Sequence, residues 1–118
     1  MAEKKVIYIA GPITGVERYW EAFELAEDII TSLGHIALTP SRLPGGMTPA
    51  QYMRMCFSMI DSADAVLFLP GWTNSGGATL EKQYCAYIDK PIVGWCYRDM
   101  AMITPQNIGR GIKEALGV

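Results

Sequence analysis

The sequence predicts an α/β domain in which helices cover both faces of a parallel sheet. Short apolar runs rich in β-branched residues alternate with segments of helical periodicity, and glycines and prolines separate them. The length of 118 residues fits a single domain over residues 1–118. Half of the residues are apolar and 19% are charged, a composition that excludes intrinsic disorder.

The first strand and helix are marked by a change in the apolar period. Residues 5–10 are β-branched-rich and stop at a Gly-Pro pair, which predicts strand 1. Residues 17–33 repeat apolar side chains at helical spacing, and Gly34 supplies the stop. The repeating side chains are Tyr19, Phe23, Ala26, Ile30 and Leu33. Residues 35–38 then predict strand 2.

The second helix is predicted over Pro49–Ser62, with Thr48 as its N-cap and Pro49 in its first turn. Apolar side chains occur nearly all round it, which is typical of a helix buried on more than one side. In a chain this small a second subunit is the simplest cover. We therefore expect a homo-oligomer formed through this helix.

The rest of the chain continues the alternation of strands and helices. Residues 65–69 predict a central strand 3, residues 78–88 a helix, residues 91–97 strand 4, and Pro105 opens a last helix. Right-handed crossovers around a central strand 1 give the flavodoxin-like strand order 2-1-3-4, with room for a fifth strand at the edge.

Composition and motifs exclude several classes of function. The net charge of −2 argues against nucleic acid as a partner. The short apolar runs and the absence of a signal peptide predict a cytoplasmic protein with no membrane partner. Three cysteines without a CxxC motif and a single histidine, His35, predict neither disulfides nor a metal site. Carboxylates are then the groups available for acid–base chemistry.

Two glycine-rich loops predict where a ligand binds. In this strand order the loops after strands 1 and 3 part and leave a crevice at the carboxyl edge of the sheet. These loops run from Gly11 to Gly15 and from Gly71 to Gly77, and each leads into a helix N-terminus, which favours a phosphate or a carboxylate. The alternative is that the glycines only serve tight turns.

Two side chains near the second loop are candidates for chemistry. Glu81 lies near the start of a helix, whose dipole is expected to keep the carboxylate ionised and able to attack an electrophilic carbon. Its alternative role is only to complement the dipole. Trp72 is placed to stack on a base or sugar, or else to anchor the loop or an interface.

Three motifs carry a resemblance to a known superfamily. They are Tyr8-Ile-Ala-Gly-Pro12, Ala63-Asp64 and Ser75-Gly-Gly-Ala-Thr-Leu-Glu81. They resemble the nucleoside 2-deoxyribosyltransferases and nucleoside 5′-monophosphate N-glycosidases, and in particular a family of small uncharacterised phage and bacterial relatives. The resemblance implies that Glu81 attacks C1′ of a (deoxy)ribose and expels the base, after which water or a second base resolves the glycosyl-enzyme. No cofactor is implied.

The resemblance also assigns further residues to the site. Tyr8 matches a tyrosine that orients the nucleophile, and Ser75 matches a position where serine suits a 5′-phosphate and aspartate a free 5′-hydroxyl. The substrate-binding residues implied or proposed are Gly11, Pro12, Thr14, Gly15, Trp72, Ser75, Gly76 and Gly77.

The sequence departs from the superfamily pattern at two positions. Cys56 stands where a catalytic aspartate is usual, so Asp61 or Asp64 replaces it, or the leaving group needs little help, or turnover is lost. Asp64 has the alternative role of capping strand 3. Thr14 stands where the monophosphate N-glycosidases have arginine, and Arg42 or Arg98 is available to compensate.

Three functions remain open on this sequence. The first is an enzyme that cleaves or exchanges the N-glycosidic bond of a nucleoside or its 5′-monophosphate. The second is a catalytically inactive nucleotide-binding or sensor module on the same fold. Cys56, in place of the usual catalytic aspartate, is the reason for this hypothesis. The third, an FMN carrier, is disfavoured by the weak phosphate loop.

Overall fold

A parallel sheet of four strands in the order β2-β1-β3-β4 organises the chain. The computed structural model describes residues 3–13, 15–93 and 103–118. The elements are β1 (Val6–Ala10), α1 (Tyr19–Ser32), β2 (Ile36–Leu38), α2 (Pro49–Ser62), β3 (Ala65–Phe68), α3 (Gly76–Tyr87), β4 (Ile92–Val93) and α4 (Pro105–Leu116). The predicted fold class and strand order are confirmed. Residues 94–97 of predicted strand 4 lie outside the described residues. The residues that the structure describes form four strands, and the predicted fifth strand is not among them.

The two-residue period of the strands divides the core into two layers. Alternate side chains of β1 and β3, among them Ile9 and Leu67, pack with α1 and α4. The intervening ones, Tyr8 and Phe68 among them, pack with α2 and α3. Tyr8 is fully buried in the central strand, on the face that α2 and α3 cover.

Capping residues set where helices α2 and α3 begin. Thr48 forms a capping box with Gln51, and α2 has the predicted bounds Pro49–Ser62. Helix α3 begins at Gly76, two residues before the predicted start, because the Ser75 hydroxyl accepts a hydrogen bond from the Ala78 amide at 3.2 Å.

Part of the apolar surface of helix α2 faces a cavity. Only Cys56 and Ile60 are buried in it, whereas Tyr52 and Met53 line a cavity between α2 and the ends of the strands. Met55 is 46% exposed. The apolar surface of the helix is thus partly accounted for by the cavity, and the homo-oligomer stays a prediction.

The ends of β1 and β3 approach each other closely beside this cavity. The Leu69 amide donates to the Ala10 carbonyl at 2.7 Å, which continues the sheet one residue past β3. A Cβ added to Gly11 would lie 2.9 Å from the Leu69 Cβ, closer than real Cβ atoms come. Glycine at position 11 is therefore required by packing.

No helix in the three described ranges combines the length and the apolar character needed to cross a bilayer.

We expect Gly11→Ala to destabilise the fold by about 1–3 kcal/mol, because the new methyl group overlaps the Leu69 side chain. Gly76→Ala is the matched control, since a Cβ there meets no atom within 4 Å and the residue is helical. Urea unfolding measures both variants. Equal stability of the two would contradict the packing argument.

Candidate active site

A cavity of about 520 Å³ opens at the carboxyl edge of the sheet. It is lined by the residues that follow β1 and β2, by one side of α2 and by the first turns of α3. This position is the one predicted from the strand order, and the volume lies within the range of small-molecule sites.

Glu81 lines this cavity and is itself buried. Its side chain is on the inward face of α3, which it shares with Ala78 and Cys85, and the residue is 4% exposed. The Tyr8 hydroxyl donates a hydrogen bond of 2.5 Å to Glu81 Oε2. A carboxylate on an otherwise apolar helix face costs free energy unless it is paired, and the Tyr8 hydroxyl is the partner here.

Cys56 completes a cluster with these two side chains. It is 7% exposed, it lines the same cavity, and its thiol is near enough to the Glu81 carboxyl to influence the pKa of that group. The cluster therefore joins three elements, with Tyr8 from β1, Cys56 from α2 and Glu81 from α3. We refer to these three residues as the glutamate cluster.

Burial governs the protonation of the glutamate cluster. It raises the pKa of Glu81 to about 7, and the Tyr8 hydrogen bond and the neighbouring Cys56 thiol offset this rise only in part. Burial likewise raises the pKa of Cys56 to about 11, and it raises the pKa of Tyr8 far above its ordinary value. Near neutral pH, Tyr8 and Cys56 are protonated and Glu81 is the group that titrates.

The expectation that the helix dipole keeps Glu81 fully ionised is therefore corrected. Helix α3 begins at Gly76, so Glu81 lies in its second turn. The dipole acts mainly within the first turn, and desolvation of the carboxylate outweighs it here.

The glycine-rich loops contribute unequally to the cavity. Gly11, Ser75 and Gly77 line it, and the hydroxyl of Ser75 also caps α3. Pro12, Gly15 and Gly76 are not among the described lining residues, and Gly15 serves a turn with a φ of 76°. Thr14 lies outside the described residues.

The two predicted replacement acids lie away from the glutamate cluster. Asp61 accepts a hydrogen bond of 2.5 Å from the exposed Tyr84 hydroxyl. The Asp64 carboxylate accepts from the Val6 amide at 2.8 Å, at the amino end of β1 and hence at the opposite edge of the sheet. The structure does not bring either acid to Glu81, and the Asp64 carboxylate bonds the first residue of β1 instead of capping β3.

Trp72 and Arg42, two further residues predicted to contact a ligand, contact other parts of the protein. Trp72 packs on Phe68 of β3, with ring centroids 5.1 Å apart, and it is not among the described lining residues. Arg42 forms an ion pair of 2.6 Å with Glu27 of α1. Arg98 lies outside the described residues. The described lining contains no lysine or arginine, and within the described ranges no three potential metal ligands come together.

Comparison with known protein families identifies the family of this chain. The model of a domain of unknown function, DUF4406, matches residues 5–94. The chain belongs to the DUF4406 family. The matched part includes the glutamate cluster and all four described strands, and it ends before α4. None of the curated proteins compared with the chain matches it.

Part of the wall of the DUF4406 cavity was not predicted. It comes from residues 40–53, which the sequence marks only as a loop and the start of a helix. Its described members are Pro40, Leu43, Gly45, Met47, Pro49, Tyr52 and Met53. One signal was available, because this loop follows β2 and so begins at the same sheet edge as the loops after β1 and β3.

Glu81→Gln is expected to stabilise this DUF4406 domain at high pH. The folded state favours the protonated carboxyl, since its pKa is about 7 against an ordinary 4.5. The contribution of Glu81 to stability is therefore fully present below pH 4.5 and is lost as the pH rises through 7. Ionisation costs on the order of 3 kcal/mol, and the neutral amide avoids this cost.

Urea unfolding at pH 5 and pH 8 would measure this effect. We expect the advantage of the glutamine variant over wild type to widen from the lower to the higher pH. Glu24→Gln, at an exposed position of α1, is the control and should show no such widening. A difference that is the same at both pH values would contradict the assignment of the raised pKa to Glu81.

Proposed function

We propose that this chain cleaves or transfers the N-glycosidic bond of a (deoxy)nucleoside or its 5′-monophosphate through a glycosyl-enzyme on Glu81. The observation that carries the proposal is a buried carboxylate, held by a tyrosine, in the wall of a cavity of about 520 Å³. The motifs around Tyr8, Ser75 and Glu81 support the same reaction, because they resemble those of the nucleoside 2-deoxyribosyltransferase superfamily.

The chemistry requires an ionised and weakly hydrated carboxylate. Glu81 attacks C1′, the bonding electron pair leaves with the base, and a glycosyl ester forms. Positive charge develops on the sugar ring in the transition state, and a nearby carboxylate in a desolvated site stabilises it. Water or a second base then attacks C1′, which releases Glu81 and completes hydrolysis or transfer.

Tyr8 orients the nucleophile in this mechanism. Its hydroxyl bonds Oε2 of Glu81 and thereby fixes the plane of the carboxyl group. Because Tyr8 belongs to the central strand, the bond is anchored in the most rigid part of the fold. The second oxygen, Oε1, is then the atom available for attack.

The cavity walls suit the remaining parts of a nucleoside. Tyr19, Tyr52 and Met53 offer aromatic and thioether surface for the faces of a base. Ser75 and Gly77, at the start of α3, offer a hydroxyl and a backbone N–H for the 5′ substituent of the sugar.

A nucleotide sensor without turnover is the second candidate, and Cys56 favours it. A thiol whose pKa is about 11 is a poor proton donor for a leaving base near neutral pH. The described lining of the cavity also holds no carboxyl group other than Glu81. The sensor and the enzyme differ in one measurable property, the release of free base.

Release of free base from a panel of nucleosides and 5′-monophosphates, followed by chromatography, tests the enzyme. We expect Glu81→Gln to lower the rate by about 10³-fold or more, because it removes the nucleophile. Glu24→Gln, on the exposed face of α1, should keep the wild-type rate. Ligands that raise the melting temperature without any base release would support the sensor instead.

The pH dependence of kcat/KM tests the role of the carboxylate. Activity needs ionised Glu81, so kcat/KM should rise about tenfold per pH unit below 7 and level off above it. Tyr8→Phe removes a hydrogen bond that lowers the pKa of Glu81, and the rise should move to higher pH. A profile that falls as pH rises through 7 would contradict a nucleophilic Glu81.

A further inference from the structure

Residues 43–47, in the connection between β2 and α2, form a strap along one side of the cavity. Leu43, Gly45 and Met47 of this strap line the cavity. The side chains of Leu43 and Met47 are half-buried, whereas residues 44–46 are exposed. The strap therefore has one side toward the cavity and the other toward solvent.

Both ends of the strap are held by local hydrogen bonds. At its start, the Leu43 amide donates to the Pro40 carbonyl at 3.1 Å. Directly after its end, the capping box of Thr48 and Gln51 fixes the first turn of α2. The freedom of the strap is thus confined to the residues between these two anchors.

The middle of the strap is held by a side chain of α2. The hydroxyl of Tyr52, in the first turn of that helix, donates to the Pro44 carbonyl at 2.6 Å. Residues 45–47 form no hydrogen bond with any other residue that the structure describes. The position of this part of the cavity wall therefore depends on the single bond between Tyr52 and Pro44.

The two glycines after Pro44 allow the strap to turn and to move. Gly46 has a φ of 92°, a conformation that glycine adopts without strain. A Cβ added to Gly45 or to Gly46 would meet no atom within 4 Å. Packing therefore requires neither glycine, in contrast to Gly11, and the pair adds conformational freedom in the middle of the strap.

Tyr52 also lines the cavity, so one side chain contacts the interior of the site and holds its outer wall. We propose that Tyr52 is a positioning residue whose hydroxyl holds the strap as a movable wall of the cavity, and that loss of its bond to Pro44 lets this wall open. The consequence for substrate binding rests on the proposed function, whereas the bond and the motion can be observed without any turnover.

The opening of this wall leaves the reacting groups in place. The glutamate cluster belongs to β1, α2 and α3, and the bond between Tyr8 and Glu81 involves no residue of the strap. The strap therefore acts on how tightly a substrate is held, and the glutamate cluster acts on its conversion.

Backbone amide relaxation, measured by nuclear magnetic resonance on the full chain, tests the movable wall directly. The heteronuclear Overhauser effect reports picosecond to nanosecond motion, and relaxation dispersion reports microsecond to millisecond motion. We expect Tyr52→Phe to increase the motion of Gly45 and Gly46 on at least one of these timescales, because the ring is kept and only the bond to Pro44 is lost.

Tyr87→Phe is the matched control for the loss of a tyrosine hydroxyl. Tyr87 is 88% exposed on α3, so this variant should keep the wild-type relaxation of the strap. Equal relaxation of the strap in wild type and in Tyr52→Phe on both timescales would overturn the inference, whether or not the protein releases base.

The kinetic constants give the second test, with the nucleoside or 5′-monophosphate that releases base fastest. We expect Tyr52→Phe to raise KM by about threefold to tenfold and to leave kcat within about twofold of wild type, because the bond holds the wall and not the reacting groups. Tyr87→Phe should keep both constants. A lower kcat with an unchanged KM would assign Tyr52 to the chemical step and overturn its role in the wall.

The outcomes separate the two proposals. If Tyr52→Phe lowers only the melting temperature and leaves the relaxation of the strap unchanged, the hydroxyl serves the stability of the fold and the inference is wrong. If the relaxation responds as expected but no base is released, the movable wall is confirmed and the proposed function fails.

Discussion

The burial of one carboxyl group is the constraint on which the site depends. Glu81 occupies the inward face of α3, where its neighbours Ala78 and Cys85 are apolar or weakly polar, and it is 4% exposed. Desolvation opposes its ionisation, so the fold is less stable with Glu81 charged than with a neutral residue there. Such a loss of stability is common where a functional group is kept in a reactive state.

The regular periods of the sheet and helices assemble the glutamate cluster. The two-residue period of β1 directs Tyr8 to one face of the sheet, and α2 and α3 cover that same face. Cys56 and Glu81 then lie on the inward sides of these two helices. The strand order opens the cavity beside the cluster, because the chain reverses its winding between β1 and β3.

The fold was predictable in detail where local signals were strong. Helix α2 has its predicted bounds because Thr48-Pro49 is an unambiguous signal for a helix N-terminus. The alternation of apolar strand-like runs with helical segments was sufficient to predict the strand order. Helix α3 begins two residues before its predicted start, because the Ser75 hydroxyl caps it. Tyr8, Ser75 and Glu81, which the sequence analysis assigned to one site, line the same cavity.

The rest of the site depends on contacts between distant residues. Cys56 and Glu81 lie close together although they are 25 positions apart in the sequence, and no local pattern signals this proximity. The pKa of Glu81 follows from its burial, which the helix pattern alone did not reveal. Asp61 and Asp64 were plausible by distance along the chain, but Asp61 bonds the half-buried Tyr84 and Asp64 lies at the opposite end of the strands.

The two sides of the cavity come from different kinds of structure. Tyr8 belongs to a central strand bonded on both sides, whereas much of the opposite wall is the connection between β2 and α2. Backbone amides in a central strand exchange with solvent far more slowly than those in such a connection. Substitutions in this connection can therefore retune which molecules fit while the reacting groups keep their geometry, so relatives sharing the fold are free to diverge in specificity.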